Sequence, residues 1–312
     1  MHPAFSVIFL TTLIGVGQGL FLALYIVEVG SSLGWVSAQD ARFYFLGTLI
    51  GFAFLASGLI ASFFHLGRPE RAWRAAAMWR TSWLSREVIV LPAFMAAVLA
   101  YGVAHHFDIP GTLAMGAVGV ALCFALFVCT AMIYACIRFL QEWASPWTLL
   151  NFIALGCASG FTLACAYALF AAPGVVQIYV AAAIVLTALA LFTRAASLLR
   201  NERIRPKSSL QTAIGVKHPK IAQKAQGFIG SSFNTREFFH GRPRTVVRTV
   251  KWTFLLLVFP VPIALLTAGD AWDLPALLST AFVAQYLGLI AERWFFFAQA
   301  RHPQNLYYQS MS

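Results

Sequence analysis

The sequence predicts an all-α membrane protein, a single integral membrane domain of eight transmembrane helices built as two related four-helix bundles. Three observations predict it. Of 312 residues, 60% are hydrophobic and only 11% charged, with a mean hydropathy of +0.75, too apolar a balance for an ordinary soluble domain. Eight apolar runs approach or exceed the ~20 residues that cross a bilayer. The Lys and Arg residues behind the net charge of +11 gather in links on one side of those runs.

The runs fall near 5–29, 43–65, 87–106, 112–138, 147–171, 174–196, 249–268 and 274–297. The first has no basic segment ahead of it and is long enough to span, so it reads as a membrane helix and not as a cleaved signal. Links are short except for 66–86 and 197–248. Pro206, Pro219, Gly227, Gly230 and Pro243 make the second an extramembrane loop with ordered turns. Eight spans put both termini on one side, together with the links after spans two, four and six. On that side Arg194 to Lys251 holds 13 Lys or Arg against two Glu, and Leu66 to Arg86 holds five Arg against one Glu. The other side carries Asp40 with Arg42, Asp108, Asp270 and Asp273. Positive loops stay in the cytoplasm, which places both termini and the basic loops there, in a bacterial inner membrane. The same retention accounts for the net charge through membrane lipid, with no nucleic acid as partner.

The halves, 1–138 and 139–312, echo each other. Gly15-x3-Gly19-x2-Leu22-Ala23 in span one recurs as Gly156-x3-Gly160-x2-Leu163-Ala164 in span five. Ser85-Arg86-Glu87 before span three recurs as Thr235-Arg236-Glu237 ahead of span seven. Small residues four apart let helices approach closely, and Gly47 with Gly51 gives a third case. The five cysteines all fall in apolar segments without a CxxC pair, so they read as packing residues and not as ligands of zinc or an iron–sulfur cluster.

Chemistry concentrates between spans two and three. Phe64-His65-Leu66-Gly67-Arg68-Pro69-Glu70-Arg71-Ala72-Trp73 sits at a membrane boundary, followed by Trp79, Trp83 and Ser85-Arg86-Glu87. Pro69 suits the first turn of a helix, and the tryptophans and arginines read as an interfacial helix with an aromatic belt. His65 ends span two and Glu87 begins span three, so the 21-residue link 66–86 returns them to one depth. Ionisable groups at the edge of hydrocarbon call for a partner or a polar cavity. A quinone headgroup fits: its two-electron chemistry moves two protons and needs groups that hydrogen-bond carbonyl oxygens and exchange protons near neutral pH. His65 as a helix-end anchor is the equal alternative. Gln18, inside span one, bonds either a neighbouring helix backbone or a quinone oxygen. Arg138 and Glu142, four apart, read as a surface ion pair.

Other chemistries are disfavoured. A b-type haem needs axial histidines inside helices, whereas all seven histidines fall at span ends or in loops. No Walker A, Rossmann or HExxH sequence occurs. The spans read as offering a transporter only Gln18 and a few hydroxyl residues near the midplane. A purely structural tether is the other alternative of a different class.

At the starting Met1-His2-Pro3-Ala4-Phe5, at Ser62-Phe63-Phe64-His65-Leu66-Gly67-Arg68-Pro69 with Arg71-Ala72, at Trp83-Leu84-Ser85-Arg86-Glu87 and at Ser232-Phe233-Asn234-Thr235-Arg236-Glu237-Phe238-Phe239-His240, the chain resembles the membrane-anchor subunits of dimethyl sulfoxide reductase and related sulfite dehydrogenases. The resemblance implies eight helices, no haem or iron–sulfur cluster in this chain, and a site for quinone, ubiquinone or menaquinone. It implies two partners, a four-cluster iron–sulfur subunit and a molybdopterin catalytic subunit. The family's quinol-site histidine matches His65, its acidic residue matches Glu87, and Gly67 and Arg71 match support positions. Arg236, Glu237 and Phe238 are the expected docking residues for the iron–sulfur subunit. With the basic face inside, the expected activity is delivery of sulfite electrons to quinone by a cytoplasm-facing sulfite dehydrogenase, the alternative being the menaquinol-oxidising anchor of a dimethyl sulfoxide reductase.

Overall fold

A computed structural model describes residues 4–224 and 243–307. Among them are eight helical passages long and apolar enough to cross a bilayer. They are α1 (Phe5–Ser32), α2 (Ala41–Phe63), α3 (Trp83–His106), α4 (Thr112–Ala135), α5 (Pro146–Ala171), α6 (Val176–Glu202), a seventh passage made of α7 (Arg244–Val258) and α8 (Pro260–Ala271), and α9 (Pro275–Ala298). The short links between α1 and α2, α3 and α4, and α8 and α9 carry aspartates, and the opposite ends carry the arginines and lysines. These are the acidic and basic ends below.

Helix bounds depart from the apolar runs where polar residues continue a helix or stop one. α6 runs on to Glu202 and the seventh passage starts at Arg244, because backbone bonding persists through charged turns that an apolar count leaves out. α4 instead stops at Ala135. Arg138 and Glu142 therefore stand on turns, not four apart on a helix, and no ion pair joins them among the described residues. The seventh passage breaks at Phe259, where Pro260 has no N–H to continue the ladder. α3 keeps its course through Pro92, which leaves the Val88 carbonyl without its helical donor.

The segment after α2 forms a 3-10 helix, Pro69–Met78, with Pro69 in its first turn and no buried residue. Three residues per turn put Arg71 and Arg74 on one edge of it with Trp73 on the next, and Trp79 and Arg80 follow in the turn after it. Arg74 and Arg80 lie over the rings of Trp73 and Trp79 at 5.5 and 5.4 Å. The amphipathic edge suits a membrane boundary, as the sequence leads one to expect.

α1 and α5 are the most deeply buried passages. α1 meets α2, α4, α5 and α9, and α5 meets α4, α6 and α9. Their crossing is made by the repeated glycines. A Cβ on Gly15 would lie 3.5 Å from Gly156 Cα, one on Gly19 would be driven into the Gly156 carbonyl, and one on Gly160 into the backbone of Gly19. Without a hydrophobic drive between helices in lipid, such contact and a few buried hydrogen bonds hold the passages together. Gln18 Nε2 donates to the Cys123 carbonyl at 2.8 Å, Tyr179 to Ala23 at 3.0 Å, and Gln285 to Thr187 and Val258 at 3.1 and 3.2 Å. Gly160→Ala should therefore lower stability by about 1–3 kcal/mol through overpacking, whereas Gly174→Ala, with no atom within 4 Å of the added carbon, should be neutral. Equal thermal midpoints for both variants in detergent would refute this account of the crossing.

Candidate functional site

The basic end gathers the residues singled out in the sequence, but not all against one another. His65 follows the end of α2 and is exposed, its backbone N–H donating to Ser62 at 3.4 Å. Partial burial disfavours the charged imidazole and holds His65 below the usual histidine range. Gly67 faces open space. Arg71 is half exposed, 3.8 Å from Glu70.

Glu87 lies one turn inside α3. Ser82 caps that helix, its side chain accepting from the Ser85 N–H at 3.3 Å. Arg86 donates to the carbonyls of Trp79 and Arg80 at 2.9 and 2.8 Å and stacks over Trp83 at 4.2 Å. These contacts turn Glu87 inward, where it is 6% exposed and accepts a hydrogen bond from the Thr130 hydroxyl of α4 at 2.5 Å. The structure thus brings Glu87 to α4, and no hydrogen bond or ion pair joins it to His65. Gln18 has taken the helix-backbone partner, Cys123, the first of its two options. Arg236, Glu237 and Phe238 lie outside the described residues.

A cavity of about 610 Å³ opens at the same end, lined by Arg138, Glu142, Lys207, Lys251 and Arg301 among others. Lys251 pairs with Glu202 at 2.6 Å, and burial raises the Glu142 carboxyl above the usual carboxylate range. Its walls carry more cationic than anionic groups.

Two buried charge clusters are absent from the sequence-based expectations. At the acidic end, Glu28 of α1 accepts from Tyr101 at 2.7 Å and Thr112 at 2.5 Å, and lies 3.4 Å from His105 Nε2. Tyr44 stacks on His105 at 4.1 Å. Nearer the basic end, Arg194 of α6 contacts Glu292 of α9 at 2.9 Å, and Arg293 lies 3.6 Å from the same carboxylate. The spans are therefore less bare of charge than the apolar pattern implies. Glu28, Arg194, Glu292 and Arg293 lie within about two turns of a helix end, and a search for single charges inside apolar runs would have found them.

A multi-pass helical membrane protein, with a buried carboxyl near a basic boundary and no cluster of metal-ligating residues among those described, is the class that the fold and site define. Residues 1–233 match the family model described as DMSO reductase anchor subunit (DmsC). The chain is also 54% identical, over 325 aligned positions covering 100% of both chains, to a sulfite dehydrogenase subunit of Allochromatium vinosum. The chain belongs to the DMSO reductase anchor subunit family. Its place is in the membrane-anchor part of an oxidoreductase.

Removing the Tyr101 hydroxyl leaves the Glu28 carboxylate short of a donor in an apolar setting. A hydrogen bond to a charged group contributes about 1.5–3 kcal/mol, and Tyr101→Phe should destabilise the protein by an amount in that range. An unchanged thermal midpoint in detergent would show that the cluster carries no stability.

Proposed function

We propose that this chain is the quinone-reactive anchor of a molybdopterin and iron–sulfur oxidoreductase, passing electrons from sulfite to quinone at the cytoplasmic face of a bacterial inner membrane. The observation that carries the reading is Glu87, a carboxyl enclosed at the basic end with Thr130 as its hydrogen-bond donor, at the start of the membrane helix that follows the exposed His65 in the chain. Family membership supports the role of anchor, and the name of the Allochromatium vinosum relative supports sulfite as electron source. The alternative, quinol oxidation toward a reductase, uses the same groups in the reverse direction.

Quinone takes up two electrons and two protons to become quinol. In this reading the electrons come from iron–sulfur clusters of a partner docked on the basic loops. His65 donates a hydrogen bond to one quinone oxygen, which orients the ring and favours its reduction. Glu87 delivers a proton and regains one from water at the basic end. A ligand between His65 and Glu87 would supply the bridge that the two side chains do not make directly.

Loss of one positioned acid or base slows proton transfer by about 10²–10⁴-fold. His65→Ala should accordingly abolish nearly all sulfite-to-quinone turnover in the assembled complex, while turnover with an artificial dye at the catalytic subunit stays normal. Glu87→Gln should give a partial, pH-dependent loss. Normal quinone-linked turnover with His65→Ala would return that residue to a helix-end anchor. Orientation is open to a separate measurement: reporters fused after Ser312 and within 107–111 should read cytoplasmic and external, and the reverse result would overturn the sidedness.

A further inference from the structure

Arg194, Glu292 and Arg293 are 1%, 1% and 5% exposed. Two guanidinium groups therefore share one carboxylate inside the membrane domain and leave one positive charge unmatched. Aromatic faces soften the burial: Arg293 lies 3.9 Å above Phe152, and Arg194 5.4 Å from Phe254. They do not cancel a charge. Arg293 Nε has no hydrogen-bond partner among the described residues, and a buried charged donor left open is costly.

Across the α1–α5 crossing the balance is reversed. Glu87 is enclosed with a hydroxyl and no cation bonded to it. Thr130, which donates to Glu87, and Arg293 line the same cavity of about 20 Å³, together with Thr11, Thr12, Gln18 and Ser159. That space is large enough for one water molecule, and hydroxyl and amide groups around it could supply the partners such a water needs. Tyr134 of α4 lies within electrostatic reach of both Glu87 and Arg293.

The other described acids are engaged or distant. Glu28 is held at the acidic end, Glu70 lies beside Arg71, Glu202 pairs with Lys251, and Glu142 faces Arg200 and Arg301. The four aspartates stand at the acidic end.

We propose that Arg293 is a positioning residue for Glu87: its unmatched charge acts across a water-sized cavity to stabilise the ionised carboxylate. The first half of the chain contributes the acid and the second half its counter-charge. On the charged side, Arg86 precedes Glu87 on its own helix, and Arg293 lines the cavity behind Thr130, the hydrogen-bond donor of Glu87. Cys129 and Tyr134 are the titratable groups turned to it from α4. The catalytic consequence rests on the quinone reading above. A carboxyl that gives a proton to quinone must pass through its ionised form, and Arg293 makes that form accessible.

The test uses the whole complex. Arg293→Gln removes the unmatched charge and leaves Arg194 and Glu292 as a balanced pair. With Arg293 absent, Glu87 holds its proton to higher pH, so the alkaline limb of sulfite-to-quinone turnover should move upward by about one pH unit, the size expected on losing a nearby opposite charge. Arg293→Lys should restore the limb. In a Glu87→Gln background Arg293→Gln should move nothing. A limb that stays in place in Arg293→Gln, while Glu87→Gln alone abolishes it, overturns the coupling and leaves the quinone role of Glu87 standing. A pH profile that Glu87→Gln leaves unchanged overturns that role instead. Thermal midpoints in detergent give a readout independent of turnover. Glu87→Gln and Arg293→Gln each unbalance a buried charge, so the double variant should be less destabilised than the sum of the two. Strict additivity would overturn the proposal even if Arg293→Gln assembles poorly.

Discussion

The backbone contact between α1 and α5 is the constraint on which the rest of the molecule depends. Four glycines, Gly15, Gly19, Gly156 and Gly160, allow the two most buried helices to touch main chain to main chain. The Phe127 ring of α4 is seated against Gly156 from the flank, and Phe21 of α1 packs in the same way against Gly119 of α4. The crossing also fixes how the flanking helices meet it. Gln18 on α1 reaches Cys123 on α4, Tyr179 on α6 reaches Ala23 on α1, and the cavity between Thr130 and Arg293 lies beside the same glycines.

Charge inside this protein follows position along the helix. At the acidic end Glu28 has three polar neighbours and an aromatic cover, an arrangement that joins α1, α3 and α4. Toward the basic end the buried charges are incompletely matched, Glu87 in one half and the arginines in the other. Fully satisfied clusters add rigidity, whereas unmatched ones retain free energy that changes with protonation.

Much of the fold was legible in the sequence because a membrane span announces itself by length and apolarity. Seven of the passages were found as single helices close to their observed bounds. The eighth differs because Pro260 interrupts bonding without interrupting hydropathy. The glycine repeats forecast close approach, and the 66–86 link forecast an interfacial helix beginning at Pro69. Side-chain partnership was much less legible. Sequence spacing placed His65 and Glu87 at one depth but carried no information on helix rotation, which turns Glu87 to Thr130 and leaves His65 outside. Arg194, Glu292 and Arg293 were passed over for a related reason. They sit in runs whose average hydropathy hides single charges, and the partners come from helices almost a hundred residues apart.

Pro92 gives α3 an uneven mechanical character. The Val88 carbonyl, one residue beyond Glu87, has lost its helical donor, so the opening turns of α3 are joined to the remainder by fewer bonds than a regular helix provides. Those turns are instead tethered outward through Arg86 to the carbonyls of Trp79 and Arg80. The turn that carries Glu87 is thus bonded to the tryptophan-bearing segment before it as well as to the helix beyond the proline. That turn is as much a part of the boundary segment as of the long shaft of α3.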